Sequence, residues 1–396
     1  MQTIAIVGGS VAGIRAAEAL RRHGFDGRVV LVGDDAHRPY DRPPLSKGFL
    51  EGTVAEDALA LLDPDDEAEL ALDLRPGVRA ARLDPAGARV VLADGSDVVA
   101  DGVVIATGGR ARRLPGTEGI EGVHTLRTLD DARALRDALH DGDPRVVIVG
   151  GGFIGAEVAS TCRELGRTVT VLDGLPLPLA PVLGPRLAQR CVDLHAEHGT
   201  TLRAGTAVAG LRTAAAGSGR RVVGVALGDG STVDAEVVVV GVGISPNTGW
   251  LEGSGLTVQD GVRTDAGMVS DNPRVVAVGD VARWAGPTGS RRHEHWTSAG
   301  EQASVATANL LAGATTTTFT PSGYVWSEQY GRMLQLAGHP RPEDRVEVLD
   351  GDLAAGRFVA RYVDDDGVTT GLFALDDPRS FGRLRRRELG RTRQPA

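Results

Sequence analysis

Lysine and cysteine are both scarce in this sequence of 396 residues. Lys47 is the only lysine among 43 basic residues, and the others are all arginine. The two cysteines, Cys162 and Cys191, form neither a CxxC motif nor a disulfide framework, which is typical of a reducing compartment. Aromatic residues make up only 4% of the chain, so a tryptophan beside a motif carries weight. This composition predicts a cytoplasmic protein without disulfide bonds.

Long apolar runs and an excess of positive charge are also missing. No apolar run approaches the roughly 20 residues that a membrane-spanning helix needs, and a strand only a few residues after Met1 predicts no signal peptide. The net charge of −9 opposes binding to nucleic acid. With 42% hydrophobic residues and 54 glycines, the sequence predicts an α/β protein without a membrane or nucleic-acid partner.

The first 34 residues have the pattern of a dinucleotide-binding unit. An apolar strand at residues 4–7 leads into a glycine-rich turn and a helix, and Asp34 stands just past the next apolar strand. Glycines let the backbone approach a pyrophosphate, the helix N-terminus supplies N–H groups, and the acid accepts from a ribose hydroxyl. The turn contains Gly8, Ser10, Ala12 and Gly13. Ser10 replaces the middle glycine of the usual fingerprint, so the motif is incomplete.

The same pattern returns in complete form after a strand at residues 145–149. The second turn is a full GxGxxG motif made of Gly150, Gly151, Gly152, Phe153, Ile154 and Gly155. A helix and another strand follow, and Asp173 ends that strand. Two such motifs indicate two dinucleotides, and the alternative is a pair of glycine-rich turns in an ordinary doubly wound sheet.

Asp173 bears on the choice between NADH and NADPH. A carboxylate accepts from a free 2′-hydroxyl and repels a 2′-phosphate. No arginine occurs between Asp173 and Arg186 to receive that phosphate. We therefore predict NADH, with NADPH the less favoured nucleotide.

A proline-rich loop at residues 39–47 presents the single lysine. Its three prolines restrict the backbone, which suits a loop that holds a side chain in place. Compositional bias against lysine is one explanation for Lys47. The other is that the position needs a compact ammonium, which a planar guanidinium does not replace.

Several predictions concern the connections. Residues 114–125 are predicted to be a linker, and residues 214–219 a flexible loop. Thr128 and Asp131 match a capping box at the start of a helix through residue 139. His195 and His198, like His293 and His295, are assigned structural roles rather than metal ligation.

The sequence changes character after residue 319, where alternating strands predict a small antiparallel domain. It ends in a basic segment, residues 379–393. A solvated helix face is one interpretation, and a docking surface for an acidic partner is the other. Its arginines are Arg379, Arg383, Arg385, Arg386, Arg387, Arg391 and Arg393, against one glutamate.

Taken in order, these motifs resemble those of the FAD-dependent NAD(P)H:ferredoxin reductases, which lie within the glutathione-reductase-like flavoproteins. This family includes the putidaredoxin, rubredoxin and dioxygenase-system ferredoxin reductases. The resemblance covers nearly the whole chain. It rests on both glycine motifs, the sequence PYDRPPLSK at residues 39–47, Gly279-Asp280, and WSEQ at residues 326–329. Glu328 and Val325 replace the commoner Asp and Phe of the family.

The resemblance implies an α/β fold with two Rossmann-like nucleotide-binding domains, for FAD and NAD, and a small α+β C-terminal domain. We expect the FAD-binding domain at residues 1–112 and 244–318, the NAD-binding domain at 113–243, and the C-terminal interface domain at 319–396. The family's FAD residues map onto Gly8, Ser10, Ala12, Gly13, Asp34, Arg42, Lys47, Ala80, Thr107, Gly108, Arg127, Asp280, Trp296 and Trp326. Its NAD residues map onto Gly150, Gly152, Phe153, Ile154, Gly155, Glu157, Asp173 and Gly243.

The activity that the resemblance implies is an NADH:ferredoxin reductase of the EC 1.18.1 type. Hydride would pass from NADH to flavin N5 beside a catalytic Lys47–Glu157 pair, with the ammonium stabilising charge at N5. Single electrons would then reach a [2Fe–2S] or similar ferredoxin that supplies a P450 or a ring-hydroxylating oxygenase. The active-site cysteines of related disulfide reductases are absent from this loop.

Two other functions remain open at this point. One is a flavoprotein that reduces a small acceptor such as a quinone, the ascorbyl radical or dioxygen. The other is a redox-sensing interaction protein like the relatives of apoptosis-inducing factor.

Overall fold

The computed structural model of the protein describes residues 1–84, 89–287 and 289–390. The chain forms two compact units. The first unit consists of Met1–Asp41, Glu56–Arg110 and Ile244–Ser322, and the second of Arg42–Ala55, Ala111–Gly243 and the described residues from Gly323 onward. The boundaries of the FAD-binding, NAD-binding and C-terminal domains stay a prediction.

The α-helices in chain order are α1 Val11–Arg22, α2 Gly48–Glu51, α3 Pro64–Leu70, α4 Leu129–His140, α5 Phe153–Glu164, α6 Ala180–Glu197, α7 Trp296–Ala312 and α8 Pro378–Glu388. Short 3-10 turns occur at Pro43–Ser46, Asp57–Leu59, Gly249–Leu251 and Gly279–Val281. The strands up to residue 149 are β1 Thr3–Val7, β2 Arg28–Val32, β3 Leu72–Arg75, β4 Ala80–Asp84, β5 Arg89–Leu92, β6 Asp97–Val99, β7 Gly102–Ile105, β8 Gly109–Ala111, β9 Ile120–Glu121, β10 Val123–His124 and β11 Val146–Val149.

The remaining strands are β12 Val169–Leu172, β13 Thr201–Arg203, β14 Val208–Ala216, β15 Gly219–Leu227, β16 Thr232–Asp234, β17 Val237–Val240, β18 Ile244–Pro246, β19 Val262–Thr264, β20 Val275–Ala277, β21 Ala282–Gly286, β22 Gly289–Arg292, β23 Val325–Gln329, β24 Arg332–Gly338, β25 Arg345–Asp352, β26 Arg357–Val363 and β27 Thr369–Leu375.

The first unit is built on a five-stranded parallel sheet with the order β20-β7-β1-β2-β3. Its strands are continuous apolar runs such as residues 4–7, because helices cover both faces of a buried parallel sheet. Helices α1 and α7 pack against each other. Antiparallel β4-β5-β6 forms a separate small sheet in this unit.

The second unit repeats this architecture with the order β10-β17-β11-β12-β13, again parallel. A ribbon of β14, β15 and β16 accompanies it. The C-terminal part forms the antiparallel sheet β23-β24-β27-β26-β25, onto which α8 packs through Phe381 and Leu384. The predicted antiparallel character of this part agrees with these pairings.

Two predicted connections contain strands. Val123–His124, inside the predicted linker, forms the edge of the parallel sheet through pairing with β17. Four of the six residues of the predicted flexible loop are strand, because β14 runs to Ala216 and β15 starts at Gly219. Both predictions were wrong because pairing with a distant or adjacent strand outweighs the weak local preference of small residues. The capping box of Thr128 and Asp131 is present at the start of α4.

Candidate functional site

The first glycine turn is shaped by close backbone contacts in the first unit. Gly8 has a φ of +125°, and a Cβ at this position would lie 2.1 Å from the carbonyl oxygen of Ala106. A Cβ on Gly13 would lie 2.0 Å from the carbonyl oxygen of Gly8. Both positions therefore accept only glycine, and they bring α1 down onto the carboxyl end of β1.

The N-terminus of α1 is not neutralised by its own residues. Ser10 is the N-cap residue in extended geometry, but its side chain does not cap the helix, and the first turn holds no acidic residue. Asp34 is exposed just beyond β2, the neighbouring strand. An anion placed at this helix end would meet N–H groups and the positive end of the helix dipole.

Other predicted residues of the first unit lie in turns and at helix ends. Thr107 and Gly108 follow β7, and Ala80 begins β4. Asp280 lies in the 3-10 turn after β20. Trp296 is the first residue of α7, and its Nε1 donates to Asp41 Oδ1 at 2.7 Å.

Two residues that sequence reasoning missed support these turns. Asn247 exchanges two hydrogen bonds with Thr107, from Asn247 Nδ2 to the carbonyl at 3.0 Å and from Thr107 Oγ1 to the carbonyl of Asn247 at 2.8 Å. Gln302 of α7 is fully buried, and its Oε1 accepts from Gly279 N at 2.7 Å. Its Nε2 has no hydrogen-bond partner within the described part of the chain. Neither residue belongs to a recognisable motif, so no sequence signal identified them.

The second glycine turn, in the second unit, has the same construction. Gly150 has a φ of +109°, with a Cβ clash at 2.3 Å against the carbonyl of Gly241, and a Cβ on Gly155 would lie 1.9 Å from the carbonyl of Gly150. Gly152 differs, because a Cβ there would meet no protein atom within 4 Å. The middle glycine therefore leaves room that the protein itself does not fill.

Asp173 closes this turn. Its Oδ2 accepts from Gly151 N at 2.6 Å and its Oδ1 from Leu175 N at 2.7 Å. The backbone N–H of Asp173 donates to the carbonyl of Arg203 at 3.1 Å, so β13 brings an arginine next to this acid. The prediction considered only the stretch from Asp173 to Arg186. It did not include Arg203, which lies on the adjacent strand β13. Asp173 and Arg203 together line the carboxyl edge of the second parallel sheet.

Apolar and small residues complete this edge. Ile154, in the first turn of α5, is 50% exposed, and Phe153 beside it is half-buried. Gly243 is exposed with a φ of +91°. An exposed isoleucine at a glycine turn suits contact with the flat rings of a nucleotide.

Lys47 and Glu157, the predicted catalytic pair, form an ion pair in the second unit. Lys47 Nζ lies 2.9 Å from Glu157 Oε2 and donates to the carbonyl oxygen of Pro43, also at 2.9 Å. The Lys47 side chain is 18% exposed and that of Glu157 is 5% exposed. Burial of an isolated charge is costly, so each residue depends on the other. The proline-rich loop therefore presents its ammonium to α5.

Hydroxyl groups surround the same carboxylate. Ser46 and Ser327 both donate to Glu157, and Thr161 Oγ1, one turn further along α5, donates to the carbonyl of Ser46 at 2.9 Å. Ser46 and Ser327 were not predicted as site residues. Both serines belong to motifs on which the family resemblance rests, PYDRPPLSK and WSEQ. Nothing in these motifs indicated a role for a serine hydroxyl.

The remaining predicted FAD residues, Arg42, Arg127 and Trp326, also belong to the second unit. The backbone N–H of Arg127 donates to Asp131 Oδ2 at 3.0 Å. Trp326 stacks on Tyr324 with ring centroids 6.0 Å apart, and the guanidinium of Arg385 lies over Tyr324 at 4.9 Å. The assignment of these residues to FAD stays a prediction.

The two cysteines are free and buried in the second unit. Burial raises the pKa of both thiols, Cys162 and Cys191, to about 12, so neither forms a thiolate readily at neutral pH. The proline-rich loop holds no cysteine.

Within the described residues, no group of three His, Cys, Asp or Glu side chains could hold a metal ion. His195 of α6 instead lies 2.7 Å from Tyr330 Oη, and burial lowers the pKa of His195 to about 4. Among these described residues, no helix is both long enough and apolar enough to cross a membrane.

Comparisons with known proteins agree with this geometry. Residues 2–303 match the family model for pyridine nucleotide-disulphide oxidoreductases, and residues 324–395 match the reductase C-terminal model. The chain belongs to the pyridine nucleotide-disulphide oxidoreductase family and carries the reductase C-terminal domain. These matches confirm the predicted family and fold class. The protein is an oxidoreductase, as its relatives are.

The chain is similar over most of its length to characterised reductases. Rhodocoxin reductase from Rhodococcus erythropolis is 35% identical, with 90% of this chain and 82% of that protein covered. The ferredoxin–NAD(+) reductase subunit of the benzene 1,2-dioxygenase system from Pseudomonas putida is 36% identical, with 96% and 90% covered. The crystal structure of the covalent putidaredoxin reductase–putidaredoxin complex matches with a TM-score of 0.89 and 33% identity, covering 97% of this chain and 92% of that one.

Proposed function

We propose that this protein is an FAD-dependent NADH:ferredoxin oxidoreductase that supplies electrons to a P450 or a ring-hydroxylating oxygenase. The observation that carries the proposal is the ion pair between Glu157 of α5 and Lys47, which belongs to a proline-rich loop without cysteine. Relatives named as ferredoxin reductases, similar over nearly the whole chain, support it. The two free, buried cysteines accord with a cytoplasmic location.

The first unit offers groups that fit FAD. The uncapped N-terminus of α1 suits a pyrophosphate, and the exposed Asp34 suits a ribose hydroxyl. Gln302 Nε2 is a buried donor without a partner among the described residues, and its side chain is tied to Gly279, next to Asp280. A buried donor is rarely left unsatisfied in a folded protein, so this amide favours a bound polar group nearby.

The second unit offers groups that fit NADH. The open space at Gly152 admits a pyrophosphate to the N-terminus of α5. Asp173, with both oxygens already held by backbone N–H groups, keeps its carboxylate at the strand end where a ribose 2′-hydroxyl binds. The negative charge supports NADH over NADPH.

When bound, FAD accepts a hydride from a nicotinamide and passes electrons on one at a time. The residues of the chain contribute electrostatics and orientation. The Lys47 ammonium would stabilise the negative charge that develops on a bound flavin during reduction, and Glu157 holds that ammonium in position. Pro43 accepts a second hydrogen bond from Lys47 Nζ, so the ammonium has little freedom to turn away.

The electron acceptor that the proposal favours is an acidic iron–sulfur protein such as a [2Fe–2S] ferredoxin. On α8, Arg379, Arg383 and Arg386 are exposed and recur at helical spacing, opposite the buried Phe381 and Leu384. Arg383 forms an ion pair with Asp350 at 2.8 Å, whereas no ion pair within the described residues involves Arg379 or Arg386. Arg391 and Arg393, also predicted to take part, lie outside the described residues. This arginine face of α8 suits electrostatic attraction of an acidic partner.

A spectrum of the purified protein, followed by anaerobic titration, tests the proposal. We expect a bound flavin that NADH bleaches and that a [2Fe–2S] ferredoxin reoxidises in one-electron steps. Rapid turnover with a quinone or dioxygen but not with ferredoxin would favour a small-acceptor reductase. Very slow reduction with a long-lived charge-transfer complex would favour a redox sensor, and a protein that takes up no flavin would refute all three.

A further inference from the structure

Two serine hydroxyls flank the carboxylate of Glu157 in the second unit. Ser46 Oγ donates to Oε2 at 2.5 Å, and Ser327 Oγ donates to Oε1 at 2.8 Å. Both serines are buried, with Ser327 only 1% exposed. Ser46 comes from the turn before α2 and Ser327 from β23, so two other elements hold the side chain that α5 provides.

The two oxygens of Glu157 have different partners. Lys47 Nζ contacts Oε2, whereas Oε1 accepts from Ser327 and, at a longer 3.4 Å, from the backbone N–H of Glu328. The terminal torsion of a glutamate is broad and is not restricted by the side chain itself. Because Ser327 holds Oε1, the carboxylate keeps Oε2 turned toward Lys47.

Gln329 orients the hydroxyl of Ser327. Gln329 Nε2 donates to Ser327 Oγ at 3.0 Å, and both residues point to the same buried face of β23. A serine hydroxyl has one proton, so an oxygen that accepts from Gln329 directs its own proton to Glu157. Consecutive hydrogen bonds of this kind strengthen one another in a buried site.

We propose that Ser327, oriented by Gln329, is a positioning residue for the Lys47–Glu157 pair. Ser327 acts through Glu157, and it links the position of the ammonium to the C-terminal antiparallel sheet. The effect on turnover rests on the proposed function. The effect on Lys47 itself is a property of the folded chain.

The scarcity of lysine provides a direct test. Because Lys47 is the only lysine, labelling with [15N]lysine gives one side-chain signal in the full-length protein as purified. Ser327→Ala should shift that signal and should speed acylation of Lys47 by a water-soluble amine reagent about tenfold, the factor expected when a charged group loses one hydrogen bond. Ser327→Thr retains the hydroxyl and should restore both values.

Thr200→Val is the matched control. It removes a buried hydroxyl that accepts a hydrogen bond at 3.0 Å from Oη of Tyr330, the residue immediately after β23. It leaves every partner of Glu157 in place. Equal changes at Lys47 in Thr200→Val and Ser327→Ala would indicate general loosening and would overturn the proposal. An unchanged Lys47 signal and acylation rate in Ser327→Ala would overturn it as well.

A second variant covers the case in which Ser327→Ala does not fold. Gln329→Leu keeps Ser327 and removes only the donor that orients it. We expect a smaller shift of the Lys47 signal in the same direction. An unaltered Lys47 signal in folded Gln329→Leu would contradict the role of the two consecutive hydrogen bonds that join Gln329, Ser327 and Glu157.

Flavin reduction separates this proposal from the proposed function. In variants with wild-type flavin content, Ser327→Ala should slow reduction by NADH without weakening NADH binding, and Ser327→Thr should recover the rate. Failure of NADH to reduce the wild type would refute the proposed function, while the lysine signal would still decide the positioning role. Normal reduction of the wild type with no difference in Ser327→Ala would count against positioning alone.

Discussion

Lys47 Nζ and Glu157 Oε2 lie 2.9 Å apart, although the two residues are 110 positions apart in the sequence. The lysine comes from a loop stiffened by prolines, and the glutamate from the first turn and a half of α5, directly after the second glycine motif. The pair thus connects the one lysine of the chain to α5, the helix that follows the predicted NAD-binding turn. Both side chains are largely buried, so the geometry is sensitive to the shape of the cation.

We expect Lys47→Arg to slow flavin reduction by NADH roughly tenfold or more, because a planar guanidinium keeps the charge but not the compact donor geometry. Stopped-flow reduction at equal flavin content measures this rate. The control Arg212→Lys, in an exposed ion pair with Asp234, should reduce at the wild-type rate. An unchanged rate in Lys47→Arg would remove the proposed role of the ammonium.

Gly152→Ala should leave the protein as stable as the wild type and weaken NADH binding. A methyl at this position meets no protein atom within 4 Å, so only a bound nucleotide would contact it. Calorimetric titration with NADH and the thermal unfolding temperature measure the two effects. Gly155→Ala should differ by destabilising the fold, since its Cβ would lie 1.9 Å from the carbonyl of Gly150.

The control for Gly152→Ala is Gly210→Ala, which also adds a methyl without protein contacts but lies in β14. It should leave NADH affinity unchanged and should alter stability only by the small effect of strand propensity. Wild-type NADH affinity in Gly152→Ala would contradict a pyrophosphate at this turn.

Asp173→Asn should weaken NADH binding about tenfold, the usual effect of removing the charge from one hydrogen bond to a ligand, and should narrow the preference for NADH over NADPH. Dissociation constants for both nucleotides test this expectation. Asp229→Asn is a matched control, because Asp229 likewise accepts from a backbone N–H two residues on, that of Ser231, at a hairpin turn. If Asp173→Asn and the wild type discriminate equally between NADH and NADPH, another residue determines this specificity, and Arg203 is the first to examine.

Stability should fall in mild acid because of His195. Burial lowers its pKa from 6.5 to about 4, so the unfolded chain binds a proton in this interval before the folded protein does. The stabilisation is complete above pH 6.5 and is lost as the pH falls toward 4. From pH 7 to pH 5 the cost is about 2 kcal/mol.

His195→Asn removes the titrating group and keeps a polar contact for Tyr330 Oη, which lies 2.7 Å from His195 Nδ1. Urea denaturation midpoints at pH 7 and pH 5 should therefore differ less in this variant than in the wild type. The same difference in both proteins would show that His195 does not control this loss.

Replacing Arg379, Arg383 and Arg386 by glutamate should raise the KM for an acidic ferredoxin about tenfold or more and reduce its dependence on salt, because exposed charges mainly govern association. Turnover with a neutral quinone should stay unchanged. The control replaces Arg212, Arg220 and Arg221 by glutamate, which changes the total charge by the same amount. These three arginines are exposed on the β14–β15 ribbon. A similar rise in both triple variants would point to net charge rather than to docking on α8.

The glycine motifs and the capping box were readable from sequence because they depend on local backbone geometry. Positive φ at Gly8 and Gly150, and the reciprocal bonds of Thr128 and Asp131, involve residues close in the chain. The strand at Val123–His124 was not readable, because two residues form a strand only where β17 supplies the pairing. Asn247 and Gln302 escaped notice for the same reason, since their partners, Thr107 and Gly279, are distant in sequence.

The amino-acid sequence by itself determined a cysteine-free loop with a single lysine and the family to which the chain belongs, and it predicted two dinucleotide-binding units. Each of these features is carried by short runs whose chemistry and backbone geometry are local. Only the tertiary structure decided the surroundings of Glu157. Its partners Ser46, Lys47 and Ser327 are 111, 110 and 170 residues away in the chain, and packing alone brings their donors to one carboxylate.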